Sequence, residues 1–318
     1  FESRIVERWI VERMTPAAIG VDVGGTTTKA AIITANGGVI GLLRMPTASR
    51  TAEDFVDRLS ELIHEVLQTS GSGGIELGGL GVAVAGFLNP KRDRLAYNPN
   101  LPWLEQSPLR EHLAARFPLP VTLEVDSNAS TLAEWHFGAG TGSARFLCLT
   151  AGTGLGGGML IDGKILRFAY ECLGDVGHVI VEPGGAVCSC GGTGCAEALI
   201  GAEGVIQRFR RAGGNAEELR DVIAQALSGD PAAIATIEET GRLFGLTLAT
   251  LAIIFFPDRI AIAGGLCEAG PLLLDAATKA FRANASPFAY ERATIVKAAL
   301  GWQATLVGAG IAALNTSG

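Results

Sequence analysis

Short unbroken apolar runs alternate along this chain with stretches of helical spacing, and glycine-rich turns separate them. AAIGVDV, residues 17–23, is a continuous apolar strand. It breaks at Gly24-Gly25-Thr26-Thr27, resumes as KAAIIT, turns at Asn36-Gly37-Gly38 and resumes as VIGLL, a pattern that predicts an antiparallel meander. Thr51-x-x-Asp54 has the form of a capping box, with Asp in place of Glu, before a helix to about Gln68. Phe55, Leu59, Leu62, Ile63, Val66 and Leu67 make its apolar stripe. The Gly/Ser stretch at 70–74 ends that helix, and LGVAVAG follows as a buried strand. YNPNLPW reads as an extended loop, because residues before proline are pushed out of the helical region. Ser107-Pro108 takes the N-cap and N1 roles of a short helix. VTLEV is a further strand, and a helix from about Asn128 to Phe137 closes the first half.

The second half echoes the first. FLCLT runs into Ala151-Gly152-Thr153-Gly154, then GGGMLI, an Asp162-Gly163 turn and KIL. Two copies of strand, Gly/Thr turn, strand, tight turn and strand predict a duplicated α/β architecture with a cleft between halves. Helices are expected at about 196–210, 215–228, 231–256, 271–284 and 302–315, with RIAIAGG as a strand ending in Gly264-Gly265.

Gly152-Thr-Gly154-Leu-Gly-Gly157 matches G-x-G-x-x-G in form, but a dinucleotide turn must open a helix, and here an Asp-Gly hairpin turn follows instead. No G-x-x-x-x-G-K-[ST] occurs either. Hairpins of this kind still hold phosphates: glycines let backbone N–H groups point at one anion, and Thr hydroxyls add donors. Asp22, ending the first strand, is placed to hold Mg²⁺ through oxygen, directly or by water. A plain turn at Gly24-Gly25 is the competing reading, and it leaves the second hairpin and the Gly264-Gly265 strand end unexplained.

Between residues 175 and 197, DVGHVIVEPGGAVCSCGGTGCAE gathers His178, Cys188, Cys190 and Cys195, with Asp175 and Glu197 at its ends. One imidazole and three thiolates form a closed tetrahedral set for structural Zn²⁺. The alternative is a glycine-rich loop with incidental or disulfide-bonded cysteines. Six cysteines with three in one cluster make no disulfide framework, so Cys148, Cys172 and Cys267 are expected to be reduced. The net charge of −7 and the scattered basic residues lack the cationic face that nucleic acid requires. The longest apolar run, Leu243 to Phe256, is too short for a bilayer and reads as a buried helix. With no signal peptide, a cytoplasmic protein without membrane or nucleic-acid partners is expected. Residues 1–16 read as an N-terminal extension, with Met14 as a natural start.

These motifs together resemble the ROK group of sugar kinases and repressors, within the actin-like, hexokinase-like ATPases. The matching pieces are Asp22-x-Gly24-Gly25-Thr26, PNLPW at 99–103, EVDSNASTLAE at 124–134, GTGLGGG at 152–158, GDVGH at 174–178, CSCGGTGCAE at 188–197 and AGG at 263–265. They span nearly the whole chain in the family's order. The resemblance implies a two-domain actin-like (ribonuclease H-like) α/β fold with a central cleft and a zinc-bound loop. Residues 17–126 plus about 300–318 would form the small N-terminal domain, and 127–299 the larger one. It further implies a homodimer that binds ATP, Mg²⁺ and a sugar. By motif match Asp126 is the general base; Gly86, Asn98, Asp126, Asp175, His178 and Glu197 contact sugar. Gly24, Gly25, Thr26, Gly152, Thr153, Gly154, Gly264 and Gly265 surround the nucleotide. With zinc on one ring nitrogen, His178 would turn its other N–H toward a sugar hydroxyl.

Independently, Asp126 ends a buried strand, and strand ends face the ligand crevice in α/β sheets. An Asp that only caps the helix from Asn128 is the other reading, and the two are compatible. The chain departs from the family at Val125, where Asn is usual, at Asp175, where Glu is usual, and at Ala85-Gly86 and Asn98. The expected activity is ATP-dependent phosphorylation of a free hexose. The alternatives are an N-acetylhexosamine or polyol kinase and, less favoured, a sugar-responsive regulator, which needs a helix-turn-helix that the roughly 20 residues before the first strand cannot supply.

Overall fold

The computed structural model describes residues 15–70, 75–98 and 100–315. The meander is β1 (Thr15–Val23), β2 (Thr27–Thr34) and β3 (Val39–Pro46), followed by α1 (Ala52–Thr69) and β4 (Ile75–Val84). A two-stranded ribbon, β5 (Phe87–Leu88) and β6 (Leu95–Tyr97), and a short α2 (Leu109–Ala114) lead to β7 (Val121–Val125) and α3 (Asp126–Phe137). The second half runs β8 (Arg145–Ala151), β9 (Leu155–Ile161) and β10 (Lys164–Ile165), then the cysteine loop. Four helices follow: α4 (Ala196–Ile200), α5 (Ala202–Arg211), α6 (Leu219–Leu227) and α7 (Pro231–Phe255). The chain ends with β11 (Arg259–Ala263), α8 (Pro271–Asn284), α9 (Pro287–Tyr290), β12 (Thr294–Lys297) and α10 (Ala304–Asn315).

The expected repeat is present in the sheets. One has the order β3-β2-β1-β4-β7 and the other β10-β9-β8-β11-β12. In each, an antiparallel meander continues into two strands parallel to its first. Each half has its own apolar core, and a third cluster, including Ile33, Leu132, Leu160, Leu306 and Ile311, joins them. The terminal helices make that join. α10, the last helix of the second half, lies across β1 and β4 of the first sheet, while α3, the last helix of the first half, packs on α10 and on β8 and β9. This approach is backbone-close: a Cβ at Gly81 would overlap the carbonyl of Ala309, and one at Gly308 that of Ala129.

Several boundaries differ from expectation for identifiable reasons. β1 begins at Thr15, so residues 15 and 16 belong to the fold, while 1–14 lie outside the described residues, as do 71–74 of the Gly/Ser stretch. The helix expected at 196–210 is two helices broken at Gly201, whose extended ψ of 159° cannot continue a helix. The helix expected from 215 starts at Leu219, where Glu218 and Asp221 form a reciprocal capping box. α2 starts at Leu109 with no side-chain cap from Ser107, and α10 starts at Ala304 after a 3₁₀ turn. α3 begins at Asp126, two residues earlier than read, so the strand passes directly into the helix. β12 and the β5–β6 ribbon went unread because runs of two to four residues carry too little periodicity.

Candidate active site

The carboxyl ends of β1, β4, β7 and β8 converge on a cleft of about 600 Å³. Its lining includes Gly24, Gly25, Thr26, Gly86, Asp126, Gly152, Thr153, Gly154, Asp175 and Glu197. Ten residues singled out from sequence are therefore brought together from six separate segments.

Asp126 sits where β7 meets the first turn of α3, and Ser127 N donates to its Oδ1 at 2.7 Å. Burial at the base of the cleft pushes its carboxyl up to about 7; the Ser127 amide pulls the other way, and the Asp22 carboxylate adds to the rise. A carboxyl poised near neutrality suits a general base. Asp22 itself is buried one layer behind the cleft, its Oδ2 taking Lys29 Nζ at 2.8 Å. One carboxylate oxygen is thus engaged by a cation.

Each hairpin turn has a glycine that faces open space. A Cβ on Gly25 would have only Asn100 Cβ in reach, at 3.8 Å, and one on Gly152 would meet nothing within 4 Å. The chain leaves this space open toward the cleft, as a phosphate cradle requires. Thr150 Oγ1, buried in the cleft lining, has no hydrogen-bond partner. A buried hydroxyl in that state fits a phosphate ligand and is costly without one. Gly264 and Gly265 stand beside this loop and outside the lining residues. Gly264 adopts φ 91° and abuts the backbone of Ala151, which brings the β11 end against Gly152.

On the opposite side, Gly86 adopts φ 99°, a left-handed value that glycine permits, as the chain turns from β4 into the ribbon. Glu197 Oε2 accepts Leu155 N at 2.9 Å, and burial raises the Asp175 carboxyl above its usual range. Asn98 is placed differently from the expectation of a cleft residue. It is fully buried and its amide is spent on scaffold, Nδ2 donating to Ala85 O at 2.6 Å and Oδ1 accepting Asn100 N at 2.8 Å. Asn100 occupies the cleft wall instead. Sequence reading also missed Ser127, Ser130, Thr150, Cys172 and Thr305 in the lining. Ser127 and Ser130 were legible in principle, one and four residues after Asp126 on a helix that starts there. Thr305 carried no signal.

The cysteine loop lies beside this wall. His178 Nδ1 is 3.4 Å from Cys188 Sγ, and Cys190 and Cys195 Sγ are 3.7 Å apart. All four donor atoms of His178, Cys188, Cys190 and Cys195 fall within 4.8 Å of one another. A tetrahedral ion with Zn–S bonds of about 2.3 Å needs sulfurs about 3.8 Å apart, so the set fits. Burial pushes the Cys195 thiol up to about 12, whereas the Gly192 amide lowers that of Cys190. A divalent cation would resolve this conflict by displacing the thiol protons. The other imidazole nitrogen, Nε2, lies 3.4 Å from Asp175 Oδ2, so the ring bridges the thiols and a cleft residue. Val187↔Thr193 bridging and a 2.8 Å bond from Cys188 N to Gly192 O fold the loop back on itself.

Comparison with known proteins bears on this arrangement. The family model described as "ROK family" matches residues 18–316. The chain belongs to the ROK family. A glucokinase of Streptomyces coelicolor is 32% identical over 92% of this chain and 95% of its own length. An N-acetylgalactosamine kinase of a Shewanella species is 31% identical over 82% of this chain and 86% of its own. The crystal structure of a ROK glucokinase from Streptomyces griseus, in complex with glucose and AMPPNP, superposes with a TM-score of 0.81 at 31% identity, covering 94% of this chain and 99% of that one. The two-domain α/β kinase fold is therefore the fold of this ROK protein. Among its described residues no helix is long and apolar enough to cross a membrane.

Proposed function

We infer that this ROK protein is a sugar kinase that transfers the terminal phosphoryl group of ATP to a hydroxyl of a free hexose, with Asp126 as general base. The observation that carries the reading is Asp126 itself: a carboxyl of pKa about 7, at the base of a cleft flanked by two glycine hairpins. Phosphoryl transfer depends mainly on positioning and charge stabilisation, with one carboxylate to accept the nucleophile's proton. Asp126 accepts that proton as the hydroxyl oxygen attacks phosphorus. Backbone N–H groups at Gly25–Thr26 and Thr153–Gly154, with Thr150 Oγ1, receive the phosphate oxygens, while the Gly24 and Gly152 N–H groups close the turns on Thr27 O and Gly154 O, and Gly264 and Gly265 border the nucleoside. Mg²⁺ would supply charge neutralisation at the phosphates when bound, and Asp22 would hold it, directly or through water. Asp175 and Glu197 accept sugar hydroxyls at the far wall, and His178 Nε2–H adds a donor beside Asp175. Asn98 acts from behind, by fixing Ala85 and Asn100.

The same reading takes Zn²⁺ as a structural ion on His178, Cys188, Cys190 and Cys195. It keeps 17–126 with the C-terminal helix as one domain and 127–299 as the other. Free cysteines throughout accord with a cytoplasmic enzyme, and the homodimer implied by the family stays part of the proposal. An N-acetylhexosamine is the second candidate substrate. The likeness to an N-acetylgalactosamine kinase supports it, and Val125 puts an apolar side chain in the cleft lining where an amide is usual in the family.

An ADP-release assay over hexoses, N-acetylhexosamines and inositols tests the proposal, with Asp126→Asn as control. Hexose-dependent turnover that the substitution abolishes is the expected result. Turnover that survives it, or ADP release indifferent to every sugar, would overturn the assignment.

A further inference from the structure

Glu124 stands two residues before Asp126, is 2% exposed, and has both oxygens occupied. Oε1 accepts Val125 N at 2.9 Å, Asn128 Nδ2 at 2.9 Å and Arg167 Nη1 at 2.8 Å. Oε2 accepts Arg167 Nη2 at 2.5 Å and Arg92 Nη1 at 3.4 Å. The Arg167 contact is a two-pronged fork, the strongest and most directional form of an ion pair. One carboxylate thus ties together the end of β7, the first turn of α3, the loop between β5 and β6, and the segment after β10.

That last segment is under visible strain. Tyr170 and Glu171 adopt φ 59° and 62°, left-handed values for residues with side chains. Such conformations persist only where their surroundings over-determine them. Here the Glu171 carbonyl accepts Asn128 Nδ2 at 2.7 Å and Arg167 Nη1 at 3.2 Å, both already bound to Glu124. The next residues, Cys172, Gly174, Asp175 and Val176, form the cleft wall that the proposed reaction assigns to sugar.

We propose that Glu124 and Arg167 are positioning residues of the kinase: their fork holds the 170–176 wall in register with Asp126 and so sets sugar affinity. Neither side chain lines the cleft. A charge pair with one buried and one half-buried partner is weak as a source of stability, because desolvation offsets its attraction. Its use is geometric, since it connects the strand end that bears the base to the wall that orients the hydroxyl.

The inference rests on the sugar-site reading, so its test has one readout tied to activity and one free of it. In Arg167→Gln, sugar KM should rise about tenfold or more while ATP KM stays within about twofold. Alkylation of Cys172, 4% exposed in the native wall, should accelerate at least about tenfold by peptide mass analysis, with Cys148 and Cys267 unchanged. The double variant Glu124→Gln/Arg167→Met removes both charges of the pair. It should recover any lost melting temperature yet keep the raised sugar KM and fast Cys172 labelling. Recovery of native sugar KM together with Tm would make the pair merely structural and overturn the proposal. So would an equal rise in both KM values, or unchanged Cys172 labelling in Arg167→Gln. A wild-type enzyme inert to sugars would sink the functional reading instead, and the labelling arm would still decide this one.

Discussion

The two halves share a strand order but not a chemistry. In the first, the outermost parallel strand, β7, delivers Asp126 into the cleft; in the second, the equivalent strand, β12, ends at Lys297 and passes to alanines and a 3₁₀ turn before α10. The turns diverge as well. Gly25 faces open space, whereas a Cβ on Gly154 would lie 2.5 Å from Glu197 Oε2, because α4 and the cysteine loop brace that hairpin from behind. On the reading proposed above, one half carries the proton acceptor and a phosphate turn with no brace at Gly25. The other carries a turn that is open at Gly152 but braced at Gly154 by Glu197, beside the thiol cluster. A duplicated scaffold becomes an asymmetric catalyst when one copy keeps the acid and the other acquires the brace.

Asp126→Asn is the most severe way to break that asymmetry. The amide keeps the shape and the Ser127 contact but accepts no proton. Turnover should fall about 10²–10⁴-fold in steady-state assays with little change in sugar or nucleotide affinity by calorimetry. Cys188→Ser attacks the brace. It should release bound zinc, measured by metal analysis of the purified protein, and lower the melting temperature by several degrees or more, because metal affinity in such a loop is folding free energy. A smaller contrast separates the two turns. Gly154→Ala should destabilise by about 1–3 kcal/mol in chemical denaturation, since Glu197 must move. Gly25→Ala should leave stability unchanged and raise the ATP KM, because its methyl enters space left for phosphate. Equal stability losses at both positions would remove the distinction between braced and open turns.

The repeat was legible because it lies in strong signals: apolar runs of five to eight residues and glycine turns at matching positions. The cluster at 178–195 was equally legible, since three thiols and an imidazole in one short loop admit few other uses. Asn98 shows the limit. A motif position reports proximity, and whether the side chain faces the cleft or the scaffold depends on the turn between Asn98 and Leu101, where its Oδ1 caps two backbone amides. Arg167 and Glu171 were invisible for another reason. Their significance is the pairing of Arg167 with Glu124 and of the Glu171 carbonyl with Asn128, each across 43 positions, and single-sequence periodicity reports neighbours within a few turns. The exchange of α3 and α10 between halves was expected only from resemblance. Its local trace is a run of small residues, Gly308-Ala309-Gly310, which many buried helices share.

The finest test of the comparison is the pH dependence of Asp126, because only the first half has a carboxyl at this site. Burial pushes its carboxyl up to about 7 in the folded protein, from an ordinary Asp value of 3.8. A carboxyl raised on folding binds its proton more tightly in the native state. Its contribution to stability is therefore complete below pH 4 and is lost as pH rises through 7. A shift of about three units corresponds to about 4 kcal/mol at full strength, and water on the cleft side reduces this to about 1–2 kcal/mol. Asp126→Asn should then match wild-type stability near pH 4 and exceed it by that amount at pH 8, in denaturant titrations of the ligand-free protein. The same titration governs catalysis with opposite sense: kcat/KM for sugar should fall tenfold per pH unit below about 7, as the base becomes protonated. Asp22→Asn should move that acidic limb to lower pH, since the Asp22 carboxylate is among the groups that raise it. A stability gain in Asp126→Asn that is independent of pH would mean that the carboxyl is not held in the cleft as a charge-sensitive group, and the base would have to be sought elsewhere.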